Sequence, residues 1–124
     1  MSNSIVYRSA GPTYALSVAN TQHTAVAISN GTNDVVCYAS FINRGATDVC
    51  VVVYPLTQAG AAQAPTLVFP VDGTPTIPNS FLLPAGMLTP YVVAVPTTNN
   101  GFSVSAIGSA AGPSIIYITA VVAQ

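Results

Sequence analysis

Short apolar segments separated by glycine and proline are the feature that most restricts how this chain can fold. Ten prolines and nine glycines are spread over 124 residues, and no stretch of 12 residues keeps apolar side chains at helical spacing. Apolar residues alternate instead with small or polar ones, as is typical of half-buried strands. This alternation occurs in segments 14–18, 25–29 and 102–106.

Four further segments are apolar on both sides. They are residues 35–42, 49–54, 91–95 and 115–122. A strand of this kind is either covered on both faces within its own domain or has its outer face buried by another subunit. Both alternatives remain open from the sequence.

Turn-forming residues separate the apolar segments. Asn30-Gly31 and Asn100-Gly101 favour the positive backbone angles of tight turns, and Pro84-Ala85-Gly86 follows the apolar segment 81–83. Residues 43–47 are the best hairpin candidate, and residues 57–65 have the composition of a long surface loop. The pattern predicts about eight strands and no helix, hence an all-β antiparallel β-sandwich or jelly roll.

The length suits one domain, but the first residues differ from the rest. Residues 1–12 are predicted to form an N-terminal arm and residues 13–124 a single β-sandwich domain. Such an arm is either a frayed terminus or a segment that docks on a neighbouring subunit. In the second case the candidate interface residues are Ile5, Val6, Tyr7 and Arg8.

Charged residues are scarce. An average domain of this length would have roughly 31 of them, whereas this chain has five, which are Arg8, Asp34, Arg44, Asp48 and Asp72. Nucleic-acid binding needs several clustered Lys and Arg side chains to neutralise phosphates, and binding to an anionic membrane needs a basic patch. Neither nucleic acid nor a membrane is therefore predicted as a partner.

The apolar runs are too short for a membrane-spanning helix. The longest, residues 49–54, has six residues, whereas about 18 are needed. The first nine residues lack the basic region and apolar stretch of a secretory signal. We therefore expect the protein to remain where it is synthesised.

The side chains needed for catalysis are nearly absent. His23 is the single histidine and lies in a turn-like sequence, which favours an exposed structural role over catalysis. Asp34, Asp48 and Asp72 all lie next to turns, where short carboxylates accept backbone hydrogen bonds. Residues 108–112 place their serine one position too early for a nucleophile elbow. The chain is predicted not to be an enzyme and to bind no metal or cofactor.

The cysteines and the tyrosines both have a structural explanation. If residues 43–47 form a hairpin, Cys37 and Cys50 lie roughly 10 Å apart along the strands, too far for a disulfide, so both are expected to be reduced and buried. The six tyrosines are best explained by packing in strands or interfaces. A sugar-stacking platform is the alternative.

From Thr24 onward, short motifs follow one another in a distinctive order over about 100 residues. They are Ala27-Ile28-Ser29-Asn30-Gly31, Val35-Val36-Cys37-Tyr38, Val51-Val52-Val53-Tyr54, Phe81-Leu82-Leu83-Pro84-Ala85-Gly86, Phe102-Ser103-Val104-Ser105-Ala106, and Gly112 followed by Ile115-Ile116-Tyr117-Ile118-Thr119. In this order they resemble the small decoration, or cement, proteins of tailed bacteriophage capsids. The chain departs from that group in lacking the charged residues that often occur along such strands.

This resemblance implies a β-sandwich or jelly roll on the outside of a virion capsid, where it clamps neighbouring subunits of the major capsid protein. It also implies assembly in the host cytoplasm, as a homodimer or homotrimer. The absence of lysine agrees with this interpretation, because soluble monomers commonly protect their edge strands with lysine. The alternatives are a lectin-like or receptor-binding β-sandwich and a structural subunit of a tail or fibre.

Overall fold

The computed structural model describes residues 7–20, 26–28, 38–55, 69–70, 80–95, 102–110 and 114–123. These residues form eight β-strands. In chain order the strands are β1 (Tyr7–Val18), β2 (Val26–Ile28), β3 (Tyr38–Asn43), β4 (Val49–Pro55), β5 (Ser80–Leu83), β6 (Tyr91–Ala94), β7 (Phe102–Gly108) and β8 (Ser114–Ala123). The predicted all-β fold is confirmed.

The strands form two antiparallel sheets. The front sheet has the order β1-β8-β3-β6 and the back sheet has the order β2-β7-β4-β5. The pairing is nested: the first strand pairs with the last, the second with the seventh, the third with the sixth and the fourth with the fifth. Successive pairs alternate between the sheets, and β3–β8 and β4–β7 contacts join the pairs within each sheet. This arrangement is consistent with a β-sandwich.

The core lies between the two sheets and follows from the alternation in the sequence. In β8, Ile116, Ile118 and Ala120 point inwards and are buried, and in β3 Ala39 and Phe41 do the same. The inward-pointing residues of the back sheet are buried in the same core. They are Val49, Val51, Val53, Leu83, Phe102, Val104 and Ala106.

Strand β4 is covered on both faces by its own chain. Its inward residues belong to the core between the sheets, while Cys50 and Val52 point to the outside of the back sheet and are also buried. There they form a second apolar cluster with Ile107, against which Phe69 and Leu82 pack. The first alternative predicted for a two-sided apolar strand therefore holds for β4.

The prediction of a hairpin at residues 43–47 is wrong. This connection leads from β3 in the front sheet to β4 in the back sheet, and neither strand pairs with the other. The backbone of Arg44 donates a hydrogen bond to the Ile115 carbonyl at 3.1 Å, which keeps the chain against β8 instead of turning back along β3. Five residues can connect either two paired strands or two sheets about 10 Å apart, so the sequence alone did not distinguish the two.

A buried amide holds this connection in place. The side chain of Asn43 is fully buried, and its Nδ2 donates hydrogen bonds to the carbonyls of Thr47 at 2.8 Å and Leu83 at 3.2 Å. Its Oδ1 accepts a hydrogen bond from the backbone N–H of Gly45 at 2.9 Å. One side chain thus satisfies three backbone groups, two within the connection and one at the end of β5.

The same connection is bound to the start of β8 and to the turn after β5. The backbone N–H of Thr47 donates to Ser114 Oγ at 3.1 Å, and the two hydroxyl oxygens lie 2.6 Å apart. The backbone of Gly86 donates to the Gly45 carbonyl at 3.0 Å, and that of Met87 to the Asn43 carbonyl at 2.9 Å. Gly86 has a φ of 66°, as expected for the predicted turn at residues 84–86.

The segment proposed as an arm overlaps the first strand. The backbone of residues 7–9 pairs with the end of β8, and the register shifts between Ser9 and Thr13 before pairing continues to Val18. The expected boundary between residues 12 and 13 coincides with the end of this irregularity. Residues 1–6 lie outside the described residues.

Several other sequence expectations also lie outside the described residues. They are the turns at 30–31 and 100–101, the loop at 57–65, the first part of the segment 35–42, and the residues His23, Asp34, Cys37, Asp72 and Gly112.

Two glycines of the connected turns should respond differently to substitution. A Cβ added to Gly45 would lie 2.6 Å from the Ser114 Cα, and relieving this clash requires the backbone to shift. A Cβ added to Gly86 would have no heavy atom within 4 Å. We expect Gly45→Ala to lower the free energy of unfolding by about 3 kcal/mol. Gly86→Ala should lower it by about 1 kcal/mol, because only the left-handed backbone angle is strained.

Urea unfolding of both variants tests this order. Gly86→Asn is the control, because asparagine tolerates the left-handed region better than alanine and should recover part of the loss. Equal losses for Gly45→Ala and Gly86→Ala would contradict the steric argument.

Substitution of the buried amide should also be costly. Asn43→Ala leaves the carbonyls of Thr47 and Leu83 without this donor, and we expect a loss of about 3 kcal/mol in the free energy of unfolding. Asn20→Ala, at an exposed asparagine, is the matched control and should change stability by less than about 0.5 kcal/mol. Thermal unfolding of the two variants measures the difference, and equal melting temperatures would refute the role assigned to Asn43.

Candidate functional site

The outer surface of the front sheet, called the front face below, combines exposed apolar residues with small polar ones. Ile115 is 42% exposed and Tyr117 is 36% exposed. Both lie in the first half of β8, whose alternate residues are buried in the core. The strands on either side add outward residues that are half-buried or exposed. They are Thr13, Ala15 and Ser17 in β1, Tyr38, Ser40 and Ile42 in β3, and Val92 and Ala94 in β6.

The pairing register arranges the front face in rows across the strands. One row places Tyr117 between Ala15 and Ile42 and is apolar throughout. The next places Thr119 between Thr13 and Ser40, and the Thr13 and Thr119 hydroxyls are hydrogen bonded to each other at 2.8 Å. Among the side chains described on this face, none carries a charge.

The outer faces of the two sheets are covered to different extents. The outer face of the back sheet is covered by residues of the same chain, including Phe69, so that Cys50, Val52 and Ile107 are buried. On the front face, Ile115 and Tyr117 remain partly exposed. The two-sided apolar segments therefore differ in how they are covered. Strand β4 is covered by its own chain, whereas β8 has apolar side chains that remain partly exposed.

A second uncharged surface, called the edge cleft below, lies between β5 and β6, each of which ends the order of its sheet in the described part of the chain. The cleft has a volume of about 590 Å³. Its lining is apolar apart from three hydroxyl groups. The lining residues are Ser80, Phe81, Leu82, Leu83, Pro84, Met87, Thr89, Pro90 and Tyr91.

Aromatic packing shapes the edge cleft. The ring of Phe81 meets Phe41 edge-on at a centroid distance of 5.2 Å, and it meets Tyr91 in the same manner at 5.7 Å. Tyr91 is 48% exposed, and Leu88, between the lining residues Met87 and Thr89, is 87% exposed. The cleft therefore has a rigid aromatic wall anchored in the core and an exposed apolar rim.

Two charged side chains bind the turn after β5 but are not among the residues that line the cleft. Arg44 Nη1 donates a hydrogen bond to the Met87 carbonyl at 3.0 Å, and Asp48 Oδ1 accepts one from the backbone N–H of Ala85 at 2.9 Å. Both bonds fix the turn that closes one end of the cleft. Asp48 accepts a backbone hydrogen bond as predicted, but from the turn after β5 and not from the turn beside it in the sequence.

The candidate interface residues from the sequence are only partly placed. Tyr7 and Arg8 lie in β1, and their backbones pair with Ala123 and Val122 at the end of β8. Ile5 and Val6 lie outside the described residues, so an interface at Ile5, Val6, Tyr7 and Arg8 stays a prediction. The sequence does not predict the edge cleft. Its one signal is the apolar segment and turn at residues 81–86, which does not show that β5 and β6 lie at the same edge of the two sheets.

The described residues contain no group of three or more metal-ligating side chains. Within those same ranges, no helix has the length and apolar character required to cross a membrane. No family model, curated protein or solved structure matches the chain.

Cys50 is a buried free thiol. Burial removes it from water and raises the pKa of its thiol above the ordinary value of 9.0. The distance argument against a disulfide assumed a hairpin at residues 43–47, which is not formed. Cys50 is nevertheless a free thiol, as expected. Cys37 lies outside the described residues.

The raised pKa of Cys50 predicts a pH dependence of stability. The unfolded chain ionises its thiol at lower pH than the folded one, so the contribution of Cys50 is complete below the unfolded pKa and is lost as the pH rises above about 9. Urea midpoints measured from pH 7 to pH 10 should fall more steeply for the natural chain than for Cys50→Ala. The two proteins share every other side chain, and parallel curves would contradict the prediction.

Proposed function

We propose that this protein is a non-enzymatic structural protein of a tailed-phage virion, which binds the outside of the capsid and cements neighbouring major capsid subunits. We further propose that its sandwich is an eight-stranded jelly roll. Such a protein acts by covering a seam between subunits and needs binding surfaces in place of a reactive centre.

The strand order supports the jelly-roll assignment. A jelly roll contains two Greek keys in two facing sheets, and it arises when a long antiparallel hairpin of nested strand pairs is wrapped so that successive pairs alternate between the sheets. The orders β1-β8-β3-β6 and β2-β7-β4-β5 follow this rule. Jelly rolls are common in viral capsid proteins and in lectins, so the fold favours both classes and function has to be argued from the surfaces.

The observation that carries the proposal is the presence of two separate uncharged surfaces with exposed apolar residues. The front face presents Ile115 and Tyr117, and the edge cleft presents Tyr91, with the exposed Leu88 between its lining residues Met87 and Thr89. The two surfaces share no residue. A cement has to hold at least two bodies at once, and two separate surfaces permit that.

The energetics also favour protein partners. Burying apolar area contributes about 25 cal/mol per Å², and a charge buried without a partner costs several kcal/mol. In the described part of the chain, Arg44 and Asp48 already bind backbone atoms of the 84–87 turn. A partner can therefore cover the edge cleft or the front face without burying an unpaired charge from the described side chains.

Co-sedimentation with coat shells tests the proposal. The protein is mixed with shells of the major capsid protein encoded by the same genome, and we expect it to sediment with them and to raise their disruption temperature. Leu88→Asp places a charge on the cleft rim at a side chain that is 87% exposed, so folding should be unaffected. Shell binding should weaken at least tenfold if the cleft is the contact, because the charge would be buried unpaired.

Ala110→Asp is the matched control, since it adds the same charge at an exposed residue after β7. It should bind like the natural chain. Failure of the natural chain to sediment with shells or to stabilise them would refute the proposal. An electron microscopy map of the particle distinguishes a head protein from a tail or fibre subunit by its position.

A lectin-like module is the second candidate, favoured by the half-exposed Tyr91 ring beside Phe81 in the edge cleft. Sugars stack on such rings, and the hydroxyls of Ser80 and Thr89 also line this cleft. A broad glycan array with the natural chain and Tyr91→Ala tests this function. Binding that Tyr91→Ala removes would favour it, and absence of binding across the array would exclude it.

A further inference from the structure

We propose that the front face is covered by a second copy of this chain, so that two subunits form a dimer with their front sheets packed face to face. This inference deepens the proposed function, on which it rests for its biological setting, by naming the partner of one of the two surfaces. It leaves the edge cleft free for the coat protein. The contact would centre on Ile115 and Tyr117, the most exposed large apolar residues of the face.

The charge distribution suits self-association. In a twofold contact the same patch occurs on both subunits, so a charged residue near the axis meets its own like charge. The described side chains of the front face are Ser, Thr, Ala, Val, Ile and Tyr, none of which is charged. The hydroxyls of Thr13 and Thr119 are already hydrogen bonded to each other, so covering them leaves that hydrogen bond intact.

The area is sufficient for a specific dimer. Strands rise about 3.4 Å per residue and lie about 4.8 Å apart, so a sheet with the lengths of β1, β8, β3 and β6 presents roughly 500 Å² of flat surface. Two copies would cover about 1,000 Å² before side-chain relief is added, which reaches the lower limit for a specific interface. The cleft alone, between strands of four residues each, does not offer such an area.

The shape of the face also matches a copy of itself. Sheets pack face to face at about −30° because both have the same right-handed twist, and a second copy of this sheet meets that condition without adjustment. The partly exposed side chains of Ile115 and Tyr117 stand between smaller residues such as Ala15 and Ser17 in the neighbouring strand. Large side chains of one copy can therefore fit over small ones of the other.

Analytical ultracentrifugation of the purified full chain tests the proposal. We expect a mass about twice the 12.6 kDa of the chain over the micromolar range. Tyr117→Lys should halve the apparent mass, because it places two like charges in the contact. Ala110→Lys adds the same charge away from the front face at an exposed residue and should remain a dimer.

A second variant guards against misfolding of Tyr117→Lys. Ala15→Lys changes an exposed residue that lies beside Tyr117 on the edge strand, and it should also halve the mass while circular dichroism and the unfolding midpoint stay close to those of the natural chain. The proposal is overturned if the natural chain is a monomer, or if an oligomer survives both lysine substitutions on the front face.

The shell-binding assay separates this inference from the proposed function. Monomeric Ala15→Lys that still sediments with coat shells would confirm both the dimer contact and a separate coat contact. A dimer that persists in Ala15→Lys and Tyr117→Lys, with normal shell binding, would refute the front-face dimer alone. Absence of shell binding by a natural chain that dimerises would refute the proposed function alone.

Discussion

The buried amide of Asn43 is the interaction on which this end of the molecule depends. A sandwich requires its chain to cross from one sheet to the other, and each crossing exposes backbone groups that must be satisfied. Asn43 satisfies groups in the crossing and at the end of β5, while Ser114 binds the same crossing to β8. The two sheets are therefore held together at this end by hydrogen bonds as well as by the apolar core.

Two of the few charged residues lie at the same end of the molecule. Arg44 and Asp48 flank the crossing and bind the turn between β5 and β6, which closes one end of the edge cleft. Both charged groups thus hold backbone atoms in position. The described side chains of the front face and the edge cleft are uncharged.

The outer faces of the two sheets explain why an apolar strand is not by itself a sign of a partner. Strand β4 is as apolar as β8, yet its outer residues pack under Phe69 and Leu82 of the same chain. In β8 the corresponding residues, Ile115 and Tyr117, remain partly exposed. The extent to which its own chain covers a strand is therefore what distinguishes β4 from β8.

The strands and much of the core follow from local signals in the sequence, since period-two alternation and turn residues mark segments such as 102–106 and 115–122. The sequence did not determine the sheet partners: residues 43–47 look like a hairpin, and only contacts with Ile115, Leu83 and Ser114 decide that the chain crosses between sheets. The same holds for the candidate sites. The apolar pattern of β8 indicates part of the front face. The edge cleft instead depends on the end strands of the two sheets, β5 and β6, lying at the same edge of the sandwich, which is a long-range arrangement.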